Sequence, residues 1–203
     1  MRVARLVIFG VMLFLFLAMA VIGTAAIDVQ ISPIPSDAYV FLGNYFFRQG
    51  DMEKAVMLFN KAVEKDDNSV AHHNLGFIHY ENGDFEKAEF EFRKAVEADE
   101  DYEQGQNSLA ILLFEKGDLA GAAEHFTKVV EINPENAQAH FDLGVSIANN
   151  VRYNNANAGG LAVALEHFRE AERIQPGYPY AAQNIEVMES IVQSYYELKD
   201  LPD

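Results

Sequence analysis

The 203-residue chain contains no cysteine and no tryptophan. Without cysteine there is no disulfide framework, no thiolate metal site and no lipid attachment through sulfur. Positive charge is scarce, with 15 Lys and Arg against 31 Asp and Glu and a formal net charge of −16. The scarcity is uneven: residues 1–27 hold Arg2 and Arg5 and no acid, so all 31 carboxylates lie beyond Ile27 with the other 13 basic residues. Such an acidic surface repels phosphate backbones and anionic lipid headgroups, which argues against nucleic acid or a lipid surface as partner. Catalytic signatures are missing as well. There is no HExxH, no nucleophile–base arrangement and no phosphate loop, since Gly159-Gly160 follows an Asn-rich stretch and has no Lys-Ser/Thr behind it. The reading is of a protein without catalytic residues, cofactor or metal.

Long hydrophobic runs are confined to one place. Leu6 to Ala26 is an uncharged stretch of 21 residues, which at about 1.5 Å per residue is roughly 30 Å, the thickness of a bilayer's hydrocarbon core. Twelve of these residues are Leu, Ile, Val or Phe, and their insertion is favoured by roughly 4–7 kcal/mol. Arg2 and Arg5 precede the run and the next basic residue is Arg48, so the positive-inside rule puts the N-terminus in the cytoplasm and all beyond Asp28 outside it. Residues 1–27 are thus expected to be a single transmembrane helix. The alternative is a signal peptide cleaved after the small residues near Ala20 or Ala25, leaving a secreted or periplasmic chain. Residues 28–35, with Pro33 and Pro35, read as an extended linker.

The remaining chain repeats itself. Leu followed by a tiny residue occurs at Leu42-Gly43, Leu75-Gly76, Leu109-Ala110 and Leu143-Gly144, spaced by 33, 34 and 34 residues. In the same register come Ala55, Ala88 and Ala122, then Phe59, Phe92 and Phe126, then Ala62, Ala95 and Val129. A fourth set, Ala164, Phe168 and Ala171, keeps its internal spacing but arrives eight residues late, which marks an insertion. Each unit reads as two antiparallel helices: tiny residues let the backbones approach, phenylalanines fill the space between, and Gly50-Asp51, Gly83-Asp84 and Gly117-Asp118 stop one helix and cap the next. Asn133-Pro134 and Gln175-Pro176 end second helices, because proline cannot continue the hydrogen-bond ladder.

This pattern resembles the tetratricopeptide repeat (TPR), with units at 36–68, 69–102, 103–136 and 137–178 and a C-terminal capping helix at 179–203. Tyr39, His72, Gln106 and His140 stand where that family often has Trp, and proline is missing after the first two units. The resemblance implies an all-α, right-handed α-solenoid domain over 36–203 whose first helices line a concave, partner-binding groove. In the family's outward slots stand Val40, Asn44 and Phe47; His73, Phe77 and Tyr80; Asn107, Ile111 and Phe114; Phe141, Val145 and Ala148. So apolar and aromatic a concave face is the kind of patch that marks a binding site, unless its rings pack on neighbouring helices or are covered by the cap or linker. Chaperone-binding relatives clamp a C-terminal carboxylate with cations; Asn44 and Asn74 fit that clamp, but Val40, Gln104 and Ser108 occupy the cation positions, which disfavours it.

Apart from His73, the six histidines read as structural. His72, His79 and His140 fall in packed-ring slots, and His125 and His167 share a second-helix slot expected at the surface. Glu97, Asp99, Glu100, Asp101 and Glu103 lack the spacing of a calcium loop and read as a solvated face. The insertion within 148–160, rich in asparagine around Arg152 and Tyr153, reads as a surface loop, with a lengthened helix as the alternative. Together these features point to a membrane-tethered, extracytoplasmic scaffold, periplasmic in a bacterium, that binds a partner protein or peptide segment in its groove. The expected purpose is assembly or stabilisation of a membrane or envelope complex. The competing reading is a permanent accessory subunit held through its transmembrane helix and convex surface.

Overall fold

The computed structural model describes residues 34–153 and 158–199, which form nine helices and no strand. The predicted anchor and most of the linker, and residues 154–157 of the Asn-rich insertion, lie outside the described residues. Among those described, no helix is long and apolar enough to cross a membrane. The helices are α1 (Ser36–Arg48), α2 (Met52–Asp66), α3 (Ser69–Glu81), α4 (Phe85–Ala98), α5 (Glu103–Glu115), α6 (Leu119–Ile132), α7 (Ala137–Tyr153), α8 (Ala158–Ile174) and α9 (Ala181–Lys199). They pack in sequence as four hairpins, α1–α2 to α7–α8, each stacked on the next, and α9 lies against α8.

Turn chemistry explains the hairpins. Gly50, Gly83 and Gly117 sit at φ of +78°, +79° and +83°, a left-handed conformation that only glycine takes without strain. At the first turn the Gly50 N–H donates to Phe47 O at 3.0 Å and the Asp51 N–H to Phe46 O at 3.0 Å, so two carbonyls left over at the end of α1 are satisfied; the pattern recurs at the other two turns. The following aspartate then caps the next helix: Asp51 accepts from the Lys54 N–H at 3.2 Å and Asp118 from the Gly121 N–H at 3.0 Å. Asp84 makes no such cap bond and instead accepts from Lys87 Nζ at 3.0 Å.

Phe59, Phe92, Phe126 and Phe168 are buried at the centre of their hairpins. Each ring lies on the tiny residue of the facing helix. A β-carbon at Gly43 would stand 2.5 Å from Phe59, one at Gly76 2.6 Å from Phe92 and one at Gly144 2.8 Å from Phe168, all closer than packed atoms approach. The third unit carries Ala110 in that slot, also buried.

A polar seam runs beside these rings. His72 Nδ1 lies 2.7 Å from Glu91, His125 Nδ1 2.7 Å from Gln106, and His140 Nδ1 3.1 Å from His167 Nδ1. These are the same two slots in three successive units. His125 and His167 are therefore half-buried partners of the first helix, not surface residues as the repeat register predicts. Their burial follows from the polar group facing them, because a buried polar atom needs a partner and each hairpin supplies both members. In the first unit the slots hold Tyr39 and Leu58, an apolar pair.

The described residues of the insertion are helical, where a surface loop was expected. The insertion lengthens both helices of its hairpin: α7 and α8 have 17 residues each, against 13 in α1, α3 and α5 and 14 in α4 and α6. The added turns are packed, since Val151 is buried and Gly160 approaches it so closely that a β-carbon there would stand 2.5 Å away. Growing both arms by about one turn of 3.6 residues leaves the rest of the hairpin in register.

Candidate functional site

The first helices α3 and α5 touch each other directly as well as through their hairpin partners, α1 meets α3 through Phe47 and Phe77, and α5 and α7 line one pocket. Of the groove residues predicted there, Phe77 and Ile111 are 38% and 37% exposed, while Asn44, Phe47, His73, Tyr80, Asn107, Phe114, Phe141 and Val145 are half-buried. Val40 departs from the prediction: it is buried in the core with Ala55 and Phe59, because α1 turns that position toward its own hairpin. At the N-terminal end Phe47 meets Phe77 edge-to-face with ring centres 6.1 Å apart. Asn74 donates to Asn44 Oδ1 at 3.0 Å, so these two asparagines bind each other across the face.

His73 lies deeper than the other groove positions. Its Nε2 is 3.0 Å from Ser108 Oγ and its ring packs between Phe92 and Tyr102, and burial holds its pKa below the ordinary imidazole value. It still borders a polar hollow of about 290 Å³ lined with Phe77, Glu103, Gln104, Asn107, Ser108, Asn136 and Gln138. Of the acidic run, Glu97, Asp99, Glu100 and Asp101 are exposed, whereas Glu103 is half-buried and accepts from Asn136 at 2.8 Å and Asn133 at 3.2 Å. No group of three or more metal-ligating side chains occurs among the described residues.

Further along, an apolar pocket of about 290 Å³ opens between α5 and α7, lined by Ile111, Phe114, Phe126, Phe141 and Val145 with Glu115 and Asp142. Phe141 is braced by Phe168 at 5.5 Å and by Tyr178 at 5.2 Å, and the Tyr178 hydroxyl donates to Gln138 Oε1. The segment joining α8 to α9 thus leans over part of Phe141 and leaves the pocket open. Tyr80 donates to both Glu115 oxygens at 2.8 and 2.9 Å, and that bond raises the phenol's pKa. Burial holds the Asp142 carboxyl above the usual carboxylate range, partly offset by the Gln138 amide, which donates to it at 2.8 Å.

Val145 also borders a larger cleft of about 600 Å³ between α7, α8 and α9, shared with Ala148, Val151, Leu161, Val187, Met188 and Ile191. Residues of α9 therefore share a cleft with the predicted groove position Val145, which the prediction from first helices alone did not include. The signal was present: Val187 stands 42 residues after Val145, the 34-residue period plus the eight-residue insertion. Asp142 was legible in the same way, since it shares its slot with Asn74 and Ser108, both polar and both on this face.

Sequence profiles described as "Tetratricopeptide repeat" and "TPR repeat" match residues 35–101 and 112–150. No curated protein matches the sequence. Among solved structures the chain is similar to YrrB, described as "a TPR protein with an unusual peptide-binding site", at 23% identity over 76% of each chain with a TM-score of 0.65. It is similar to MamA at 20% identity over 80% of this chain and 88% of that one, with a TM-score of 0.62. It is also similar to PilF of Pseudomonas aeruginosa at 23% identity over 80% and 74%, with a TM-score of 0.59. At these identities the likeness is one of fold.

Proposed function

We propose, from the premise that the chain belongs to the tetratricopeptide repeat family, that it is a scaffold whose concave face binds a segment of another polypeptide. Proteins of this fold are in general interaction scaffolds without catalytic activity. The observation that carries the reading is the row of partly exposed apolar side chains that falls on one face, Phe47, Phe77, Ile111, Phe114 and Val145. That YrrB is described as having a peptide-binding site supports the same use of the fold. The uncharged run Leu6–Ala26 behind Arg2 and Arg5 supports a membrane tether with the repeats on the extracytoplasmic side. Tethering concentrates the groove near membrane partners, which suits assembly or stabilisation of a membrane or envelope complex.

Changing Phe77 and Ile111 together to Glu is expected to abolish co-purification of the partner from native membranes and to leave the helical circular dichroism spectrum unchanged. Retained co-purification would remove the groove from the account. A second reading, a permanent accessory subunit held through another surface, is favoured by one observation: Leu42 and Tyr45 on α1 are exposed, although their repeat equivalents Leu75 and Ile78, and Leu109 and Leu112, are buried. It is distinguished by loss of the complex on changing Leu42 and Tyr45 to Glu while the groove variant keeps it.

A further inference from the structure

We propose that the pocket between α5 and α7 is the recognition subsite of the groove, taking an apolar or aromatic side chain of the guest while a lysine or arginine of the same guest sits between Glu115 and Asp142. The inference rests on reading the concave face as a polypeptide-binding surface and names what that polypeptide must present.

Size and lining define the first requirement. At about 290 Å³ the pocket falls just below the range of small-molecule sites, yet one large side chain fits it. Its floor is the buried Phe126 and its walls are Ile111, Phe114, Phe141 and Val145. Only apolar surface recovers free energy on entering such a space.

Charge defines the second. Several acids elsewhere in the domain have cations: Glu89 pairs with Lys116 and Arg93, Glu91 with His72, and Glu170 with Arg173. Glu115 and Asp142 border the pocket, and no ion pair to either occurs among the described residues; their partners are the neutral Tyr80 hydroxyl and Gln138 amide. No lysine or arginine lines this pocket, the polar hollow before it or the cleft after it. Asp142, half-buried and without a cation, is the costly half of an ion pair, which a guest cation completes, while Glu115 is exposed at the pocket's rim and adds negative charge there. Burial has already raised the pKa of Asp142, so part of the desolvation is incurred before binding. A guest carboxylate meets repulsion at the same place, which sets selectivity.

The test pans the full chain, immobilised in detergent, against a random-peptide display library. Peptides carrying an apolar anchor with lysine or arginine beside it are expected to be enriched. Replacing that cation by glutamine in a selected synthetic peptide is expected to weaken binding about tenfold, the worth of one charge-assisted contact. In the Asp142→Asn/Glu115→Gln double variant the two peptides should bind alike. Glu97→Gln/Glu100→Gln, which removes as much charge elsewhere on the domain, should keep the full difference. Selected peptides without a cation, or a preference that survives Asp142→Asn/Glu115→Gln, would overturn the subsite and leave the groove standing. Peptides whose binding survives Ile111→Glu sit elsewhere and would overturn it too. If no peptide is selected, the polypeptide-binding reading itself fails.

Discussion

Single histidines illustrate how the two facing slots of the hairpin give the same residue type opposite electrostatic tasks. Both ring nitrogens of His72 face carboxylates, Glu91 at 2.7 Å and Asp67 at 2.9 Å; burial alone would lower its pKa, but these two acceptors outweigh it and the net shift is upward. His125 and His167 lack such acceptors, and burial holds both below the ordinary value. For His167 the neighbouring His140 adds to the effect. His140 Nε2 faces the Pro134 carbonyl at 3.2 Å, which only accepts, so in the neutral pair His140 receives the bond from His167. The signs follow by linkage. Stability contributed by His125 and His167 is present above about 6.5, the unfolded imidazole value, and is lost as pH falls through their lower folded values; that from His72 is full below about 6.5 and is lost as pH rises through its higher folded value. Urea unfolding between about pH 7.5 and 5.5 should therefore show a steeper acid loss for His72→Gln and a shallower one for His167→Gln than for the native chain. The same slope in all three proteins would refute the assignment.

At the level of elements, position in the stack decides what a shared sequence slot is worth. Leu42 and Leu109 occupy one register of the repeat, yet Leu42 is 43% exposed and Leu109 is 0% exposed. The difference is the hairpin in front: α4 covers α5, whereas no described helix precedes α1. Leu109→Ala should cost about 2–5 kcal/mol through lost burial and a cavity. Leu42→Ala should stay within about 0.5 kcal/mol. Equal losses in chemical denaturation would mean that α1 is covered in the folded chain. Elements also absorb insertions predictably: the fourth hairpin grew by lengthening both arms, and the added turns deepened the cleft under α9 through Val151 and Leu161.

For the molecule as a whole, each hairpin packs on its neighbours, and α9 packs on the second helix of the fourth. Ala181 is fully buried and Ile185 and Met188 half-buried in α9, which packs on α8. Ending the chain after Tyr178 uncovers that face and should lower stability by about 2–5 kcal/mol and promote self-association, seen as a reduced melting temperature and a larger species in light scattering. An unchanged melting temperature would show that α9 does not cap the stack. The helices, their glycine-aspartate boundaries and the phenylalanine cores were legible in the sequence because they depend on contacts within one hairpin, which recur every 34 residues and leave a periodic mark. The groove was legible only as a set of slots. That Val40 turns inward, that α9 adds Val187 and Ile191, and that Glu115 and Asp142 border an apolar pocket without a cation were settled by tertiary structure. Those properties arise between hairpins, where the stacking of one unit on the next fixes which face of a side chain meets water, and no single repeat carries that information.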